Sequence, residues 1–345
     1  MRVCHKVISP SFYSEGIRYR ADIFQYETVS SLTLSGIIMK GLFANRSAWF
    51  QLGILTYLFL FGLTFASVIS IGISAIFNII PDKTITESGT TPFYETHITQ
   101  FISALCMFLL PALFTACLCS KKPGEFLQIR KVSDVRLFVL TGLMILLISP
   151  TIDITSYLNS KIHLPEFMSP LEKWMQETED TLTGITEDLL SKRGVIPFIT
   201  NITVIAVMAG FSEEFLFRGA FLTIVRKKIS NPHIAIWTVA IIFSAIHFQF
   251  NGFIPRTILG AVLGYFLYWS KNIWIPVFAH FFHNAVAVTG SYIGIFKDSP
   301  GEIAPEVPDI KTEEIITTTI VAIFGLFLFA LCANIMRKSG TGQKN

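Results

Sequence analysis

Charged residues are scarce in this chain of 345 residues: only 15% are charged, whereas 52% are hydrophobic. A water-soluble fold would have too little polar surface to cover itself, so the composition excludes an ordinary soluble protein. The net charge is only +3, and the basic residues form short clusters between apolar stretches, a pattern that argues against nucleic-acid binding. We therefore predict a multi-pass membrane protein whose main partner is the lipid bilayer, the cell membrane if the source is prokaryotic.

The sequence also lacks a disulfide framework and a recognisable signal peptide. The five cysteines show no disulfide framework, and we interpret them as small side chains buried in lipid. The first 38 residues contain charged side chains such as Arg18 and Glu27 and lack the apolar core of a signal peptide. Because a basic lead into the first apolar run begins at Met39, we hypothesise that Met39 is the biological start.

Long apolar runs, in contrast, are frequent. A membrane span needs about 20 mostly apolar residues, and eight stretches of the sequence qualify. They run roughly over 50–78, 99–119, 136–157, 195–224, 232–250, 256–270, 272–295 and 315–336. The sequence thus predicts an all-α fold, a polytopic membrane helix bundle of about eight transmembrane helices.

The positions of Lys and Arg predict the orientation of this bundle. Clusters of basic residues precede the first span and follow the second, fourth and last spans. The loops between them, at 81–97, 158–192 and 297–314, are acid-rich. Since basic loops stay in the cytoplasm, both termini are predicted to be cytoplasmic. Arg256, at the outer end of the sixth span, is the exception to this alternation.

The external loop contains a helix signal. Ser169-Pro170-Leu171-Glu172 reads as a capping box with Pro at the first helical position. Leu171, Trp174 and Met175 follow on one face, so we predict a short amphipathic helix on the membrane surface. Its simplest role would be to cover the bundle, without recognising a substrate.

The fourth span carries three ionisable residues between apolar runs: Glu213, Glu214 and Arg218. Charged groups cost at least ~2.5–3.5 kcal/mol at a bilayer centre, so they need partners or a hydrated cavity, and a function is the default hypothesis. Glu214 and Arg218 are four residues apart and are predicted to pair. Glu213 is rotated by about 100° and is therefore available as a general base.

The fifth and seventh spans add histidines. Phe243 and His247 end the fifth span on one face, and His280 and Asn284 share a face of the seventh, with His283 on its flank. Pro276 precedes His280 by four residues and is expected to kink that helix near the site. Each signal alone has a structural explanation, but the combination supplies a general base, a group to orient water and donors for an oxyanion.

The three motifs together resemble those of the CPBP family of CAAX proteases and bacteriocin-processing enzymes, also called the ABI family. They are Glu213-Glu214-x-x-x-Arg218, Phe243-x-x-x-His247 and His280-x-x-x-Asn284, in that order on successive polar-bearing spans. The resemblance covers roughly residues 195–290, and the first three spans are expected to contribute only compatible topology. It implies an intramembrane endopeptidase that acts on a peptide or a membrane-associated protein, including lipidated ones.

The resemblance also implies roles for individual residues. Glu213 with His247 would activate a water, His280 with Asn284 would stabilise the oxyanion, and Glu214 and Arg218 would hold the helix in place. This mechanism requires no cofactor. Members are often described as metalloproteases, however, and zinc held by Glu213, His247 and His280 stays open as an alternative, although no HExxH spacing is present.

Two further functions stay open at the level of sequence. Intramembrane Glu and His chains also serve transporters and proton relays, but no internal repeat is visible. A non-catalytic protein for bacteriocin self-immunity, or a scaffold, would use the same residues only to stabilise the bundle.

The resulting division of the chain has six parts. They are a cytoplasmic tail at 1–46, transmembrane helices one to three at 47–160, an external amphipathic segment at 161–193, a CPBP-type catalytic core at 194–296, an external loop at 297–314, and the last transmembrane helix with a cytoplasmic tail at 315–345.

Overall fold

The structure is a computed structural model that describes residues 40–79, 93–132, 134–294 and 312–341. Within these ranges the regular secondary structure is helical throughout, without a β-strand, which confirms the predicted all-α class. The predictions for the N-terminal tail and for Met39 lie outside the described residues.

Nine long helices make up the described part of the chain. They are α1 (Ala48–Ile79), α2 (Phe93–Cys119), α3 (Arg136–Ser160), α4 (Ser169–Ser191), α5 (Val195–Val225), α6 (Pro232–Ala245), α7 (Phe253–Ser270), α8 (Trp274–Ile293) and α9 (Thr312–Thr341). Single helical turns at Pro123–Phe126 and Glu166–Met168 lie between them. Helix α2 contains one π-helical segment, Ala104–Leu109, and α5 contains two, Ile202–Met208 and Phe215–Phe221.

The protein is a polytopic membrane protein. Five of the described helices, namely α1, α2, α3, α5 and α9, are long and apolar enough to cross a bilayer. Helix α6 is apolar but shorter, and α7 and α8 contain polar residues such as Arg256, His280 and Asn284 that lower their apolarity. Helices therefore occupy all eight predicted stretches, while the eightfold crossing and the cytoplasmic termini stay predictions.

Lipid exposure explains the surfaces of the outermost helices. Helices α1 and α9 expose large apolar side chains, including Tyr57, Ile71 and Ile323, each more than 60% exposed. Surfaces of this kind would drive aggregation in water but are well solvated by lipid tails.

Small residues bring the inner helices into close contact. An added Cβ at Gly210 of α5 would lie 2.8 Å from the backbone nitrogen of Phe281 in α8, and one at Gly264 of α7 would lie 2.8 Å from Ile236 in α6. Without a hydrophobic driving force in lipid, such close backbone approach is the main source of helix association. It places α5 directly against α8.

Two predicted helix ends differ from the structure. Helix α6 ends at Ala245, so His247 lies in the turn that follows and not inside a helix. The amphipathic helix is present as α4, but it is longer than expected, with 23 residues. The capping prediction is wrong: Met168 occupies the N-cap position without a side-chain cap, and the Ser169 hydroxyl donates instead to the Glu166 carbonyl.

Candidate active site

The predicted pair of Glu214 and Arg218 forms the buried centre of the site. Both side chains are almost completely buried, and a guanidinium nitrogen of Arg218 lies 2.7 Å from Oε1 of Glu214. Arg218 also donates to the carbonyl of Gly260 at 2.8 Å and lies over the ring of Phe243 at 4.5 Å. One arginine thus joins α5 to both α6 and α7, while its structural role stays a prediction.

His280 is held by the same carboxylate. Its Nδ1 lies 2.9 Å from Oε1 of Glu214, and because a carboxylate only accepts hydrogen bonds, Nδ1 carries the proton. The structure removes the reason for the predicted kink at Pro276: α8 begins at Trp274, so Pro276 lies in the first turn, where its missing N–H has no intrahelical partner to lose. His280 is therefore placed by a continuous helix and by Glu214.

Glu213 faces away from this pair, as predicted from its position on α5. Its Oε2 lies 3.9 Å from Nε2 of His247 and 4.0 Å from Nε2 of His280. Both separations exceed direct hydrogen bonds and are of the size that one bridging water accommodates. The side chain of Glu213 is 13% exposed and that of His247 is 25% exposed, so this side of the site is open to a ligand.

A backbone carbonyl sets the orientation of His247. Nδ1 of its ring lies 2.7 Å from the carbonyl oxygen of Phe243, which again assigns the proton to Nδ1. The unprotonated Nε2 then points toward Glu213. The predicted alignment of Phe243 with His247 is therefore present, although it is made across the end of the helix.

Asn284 also reaches the site, with one amide hydrogen already in use. Its Nδ2 donates to the carbonyl of Ile205 at 2.8 Å, within a π-helical segment of α5, a type of turn that is frequent at functional sites. Its second N–H is left for the cavity that Asn284 and His283 both line. Spans four, five and seven thus bring all six predicted residues into one region.

Glu213, His247 and His280 line a cavity of about 690 Å³. Helices α1, α2 and α3 all contribute to its wall. Helix α4 contributes Ile185, Thr186 and Leu189, and its covering role stays a prediction. The polar residues of the wall contributed by α1 and α2 are Ser70, Ser74, Glu95, Thr96, Thr99, Gln100 and Ser103.

Sequence reasoning missed two residues that hold the loop containing His247. Asn159 of α3 donates to the Phe250 carbonyl at 2.7 Å and accepts from the Ile254 N–H at 3.0 Å. Glu179 of α4 accepts from the Asn251 N–H at 3.1 Å. Burial raises the pKa of the Glu179 carboxyl, since its desolvation outweighs this hydrogen bond. A signal was present: Glu179 falls on the apolar face of α4, four residues after Met175.

The candidate metal ligands do not fit a metal site as they stand. In the part of the chain that the structure describes, no group of three or more His, Cys, Asp or Glu side chains is arranged to hold a metal ion. Tetrahedral zinc with bonds of about 2.1 Å would place its ligand atoms roughly 3.4 Å apart. The separations of 3.9 and 4.0 Å from Glu213 to the two histidines are wider.

Comparison with known proteins finds partial matches that cover this site. Residues 195–286 match the family model of type II CAAX prenyl endopeptidases that are Rce1-like. The uncharacterized protein YpbD of Bacillus subtilis (strain 168) is 35% identical over 107 residues, which is 30% of this chain and 50% of YpbD. The chain therefore spans about half the length of this curated relative. No solved structure matches the chain.

Proposed function

We propose that this protein, whose residues 195–286 match the family model of Rce1-like type II CAAX prenyl endopeptidases, is an intramembrane endopeptidase. The observation that carries the proposal is the arrangement around Glu213, whose Oε2 lies 3.9 Å from Nε2 of His247 and 4.0 Å from Nε2 of His280, so that one water can bridge them. A carboxylate and a histidine on either side of a water are the groups that general-base hydrolysis needs.

The nucleophile is a water held between Glu213 and His247. Both groups present unprotonated atoms to it, so the water donates its two hydrogens and directs a lone pair at the scissile carbonyl. Glu213 accepts one proton as the C–O bond forms. Enclosure by apolar helices strengthens this step, because electrostatic interactions are stronger in a medium of low dielectric constant.

The resulting oxyanion is stabilised by His280 and Asn284. Since Nδ1 of His280 is committed to Glu214, Nε2 donates to the oxyanion when the ring is an imidazolium. The second amide hydrogen of Asn284 supplies another donor. Collapse of the tetrahedral intermediate breaks the C–N bond, and the proton on Glu213 passes to the leaving amine.

We propose that this hydrolysis needs no metal ion and that its substrate is a peptide or a membrane-associated protein, lipidated proteins included. The proposed steps use only water and side chains, and the wide separations around Glu213 favour a bridging water over a zinc ion. The cavity is long enough to contact residues of α1 to α4 as well as the catalytic core, which suits an extended segment of chain.

The test is the Glu213→Gln substitution, which keeps the shape of the side chain but removes the general base. Peptides from membranes and culture medium are compared by mass spectrometry between cells that express wild type, Glu213→Gln or Glu187→Gln. Glu187 is an exposed acid of α4 and serves as the matched control. We expect Glu213→Gln to lower turnover of the identified peptide by about 10²–10⁴-fold, with an unchanged melting temperature in detergent.

The purified wild type is assayed with and without a zinc chelator. Turnover that persists under chelation agrees with the mechanism above, whereas its loss and recovery with added zinc would overturn the metal-free part. If no peptide differs between wild type and Glu213→Gln, and purified Glu213→Gln melts at a lower temperature, the residues act as a structural scaffold and the endopeptidase proposal is wrong.

A further inference from the structure

Arg256 is the exception to the alternation of basic and acidic loops in the sequence, and the structure shows what surrounds its side chain. It lies in the first turn of α7 and lines the catalytic cavity. The other residues of that wall include Glu213, Glu95 and three histidines, but Arg256 is its one Lys or Arg side chain. A permanent cation therefore faces the space in which a substrate must lie.

The guanidinium of Arg256 is oriented by hydrogen bonds but has no direct ion-pair partner among the described residues, and the carboxylates of Glu179 and Glu213 act on it only from a greater distance. It donates to the side-chain oxygen of Gln249 at 2.8 Å and to the backbone carbonyl of Gln249 at 3.2 Å. Among the described residues, no Asp or Glu oxygen lies within ion-pairing distance of it. A guanidinium has five N–H donors in a rigid fork, so three remain after the two bonds to Gln249.

Arg256 is unfavourable for the fold in two respects. The N-terminal end of a helix carries partial positive charge, which repels a cation in the first turn. Partial burial of a guanidinium also costs free energy unless hydrogen-bond acceptors or an anion compensate it. By contrast, the second arginine of the site, Arg218, has the carboxylate of Glu214 at 2.7 Å. The structure supplies a direct counter-ion for one arginine and none for the other.

The surroundings hold Arg256 in this position. Gly252 makes room for it, because a Cβ at that residue would lie 2.9 Å from the terminal nitrogen of the guanidinium. The same loop is held to α3 by Asn159 and to α4 by Glu179. The donors of Arg256 are thus pre-arranged for a planar anion before any ligand enters.

We propose that Arg256 is a specificity-determining residue that binds a carboxylate of the peptide substrate in the catalytic cavity. The proposal rests on the proposed endopeptidase function and names the chemical class of its substrate: a segment that bears a carboxylate near the scissile bond. Two sources share this chemistry, the α-carboxylate of a chain end and the side chain of an Asp or Glu. Either one pairs with two parallel N–H groups of the fork.

Binding tests the proposal without any need for turnover. The probe is a mixture of synthetic peptides of varied sequence, each made with a free C-terminal carboxylate and as the C-terminal amide, and half of them containing an Asp or Glu. Purified Glu213→Gln protein in lipid nanodiscs captures peptides from this mixture, and mass spectrometry counts those retained. The same capture is made with Arg256→Gln, Arg256→Lys and Arg136→Gln added to that background. Arg136 is an exposed arginine paired with Asp134 and is the matched control.

We expect carboxylate-bearing peptides to be enriched by about tenfold or more, the size of one charge-assisted hydrogen bond. Enrichment of free chain ends over amides identifies the α-carboxylate, and enrichment of Asp or Glu peptides in both forms identifies a side chain. Arg256→Gln should abolish the preference, Arg256→Lys should keep part of it, and Arg136→Gln should leave it unchanged.

Equal capture of carboxylate and amide peptides by the Glu213→Gln protein would overturn the proposal, and so would a preference that survives Arg256→Gln. Melting temperatures identify a variant that has lost its fold, in which case the intact Glu213→Gln protein and Arg256→Lys decide. Failure of the endopeptidase proposal looks different: carboxylate peptides would bind through Arg256, while the wild type would cleave none of them.

Discussion

The two sides of the site each contain a glutamate of α5 but use it in opposite ways. On one side is the buried pair, Glu214 and Arg218, in which a carboxylate and a guanidinium lie 2.7 Å apart without solvent exposure. On the other side is the open pair, Glu213 and His247, separated by 3.9 Å and both partly exposed in a cavity. His280 lies between them, within 2.9 Å of Glu214 and 4.0 Å of Glu213.

The comparison shows that neighbouring glutamates on one helix can have separate tasks. A buried ion pair is costly to break, because the partner that remains is left as an uncompensated charge. An open pair with room for water contributes little to folding, but it can move protons. The free energy of unfolding and the turnover should therefore respond to different substitutions.

The largest effect on stability is expected from Arg218→Met. It leaves Glu214 buried without its cation and also removes the bond to the carbonyl of Gly260, so the free energy of unfolding should fall by about 3–5 kcal/mol. Denaturation in mixed micelles with SDS measures it. The double variant Glu214→Gln/Arg218→Met should recover part of the loss. If Arg218→Met proves as stable as Glu213→Gln, the distinction between the two pairs is wrong.

An intermediate effect is expected where α5 and α8 touch. Gly210→Ala places a Cβ 2.8 Å from the backbone nitrogen of Phe281, so the helices must separate, at a cost of about 1–3 kcal/mol. The gap between Glu213 and His280 should widen, and turnover should fall by up to about 10²-fold, since small misplacements of catalytic groups are that costly. Gly53→Ala is the control, because a Cβ there meets nothing within 4 Å. Equal turnover in the two variants would contradict the prediction.

The smallest effect is expected at Glu179, which accepts a hydrogen bond from Asn251 and so holds the loop that contains His247. Its folded-state pKa is raised by burial above the ordinary value of 4.5, so the folded protein holds its proton longer than the unfolded chain does. The free energy of unfolding should therefore decline as the pH rises from 4.5 through the folded-state pKa and should be level above it. In Glu179→Gln this decline should be absent. Melting temperatures of both proteins across this pH range measure it, and parallel profiles would refute the assignment.

Local sequence patterns were enough to predict how many side chains of the candidate site are placed. The i, i+4 spacing of Glu214 and Arg218, and the rotation of Glu213 away from them, follow from helix geometry alone. The placement of Phe243 beside His247 was also predicted, although α6 ends at Ala245. A sequence pattern identifies the face on which a residue lies better than it locates the end of a helix.

Other features depend on contacts between distant segments, which no local pattern records. The capping box at Ser169 matched its motif, yet the hydroxyl bonds elsewhere. Asn159 holds a loop about ninety residues further along the chain, and the contribution of α1 to α4 to the cavity wall emerges only from packing.

The sequence by itself determined that this is a membrane-embedded helical protein and which side chains are the candidates for its chemistry, because apolar runs of about 20 residues and ionisable groups within them have few alternative explanations in lipid. The tertiary structure decided which of those groups are paired and which face the cavity. That choice depends on where helices approach one another and how the loop after α6 is held. These distances decide whether a carboxylate stabilises a helix, as Glu214 does, or is available to water, as Glu213 is.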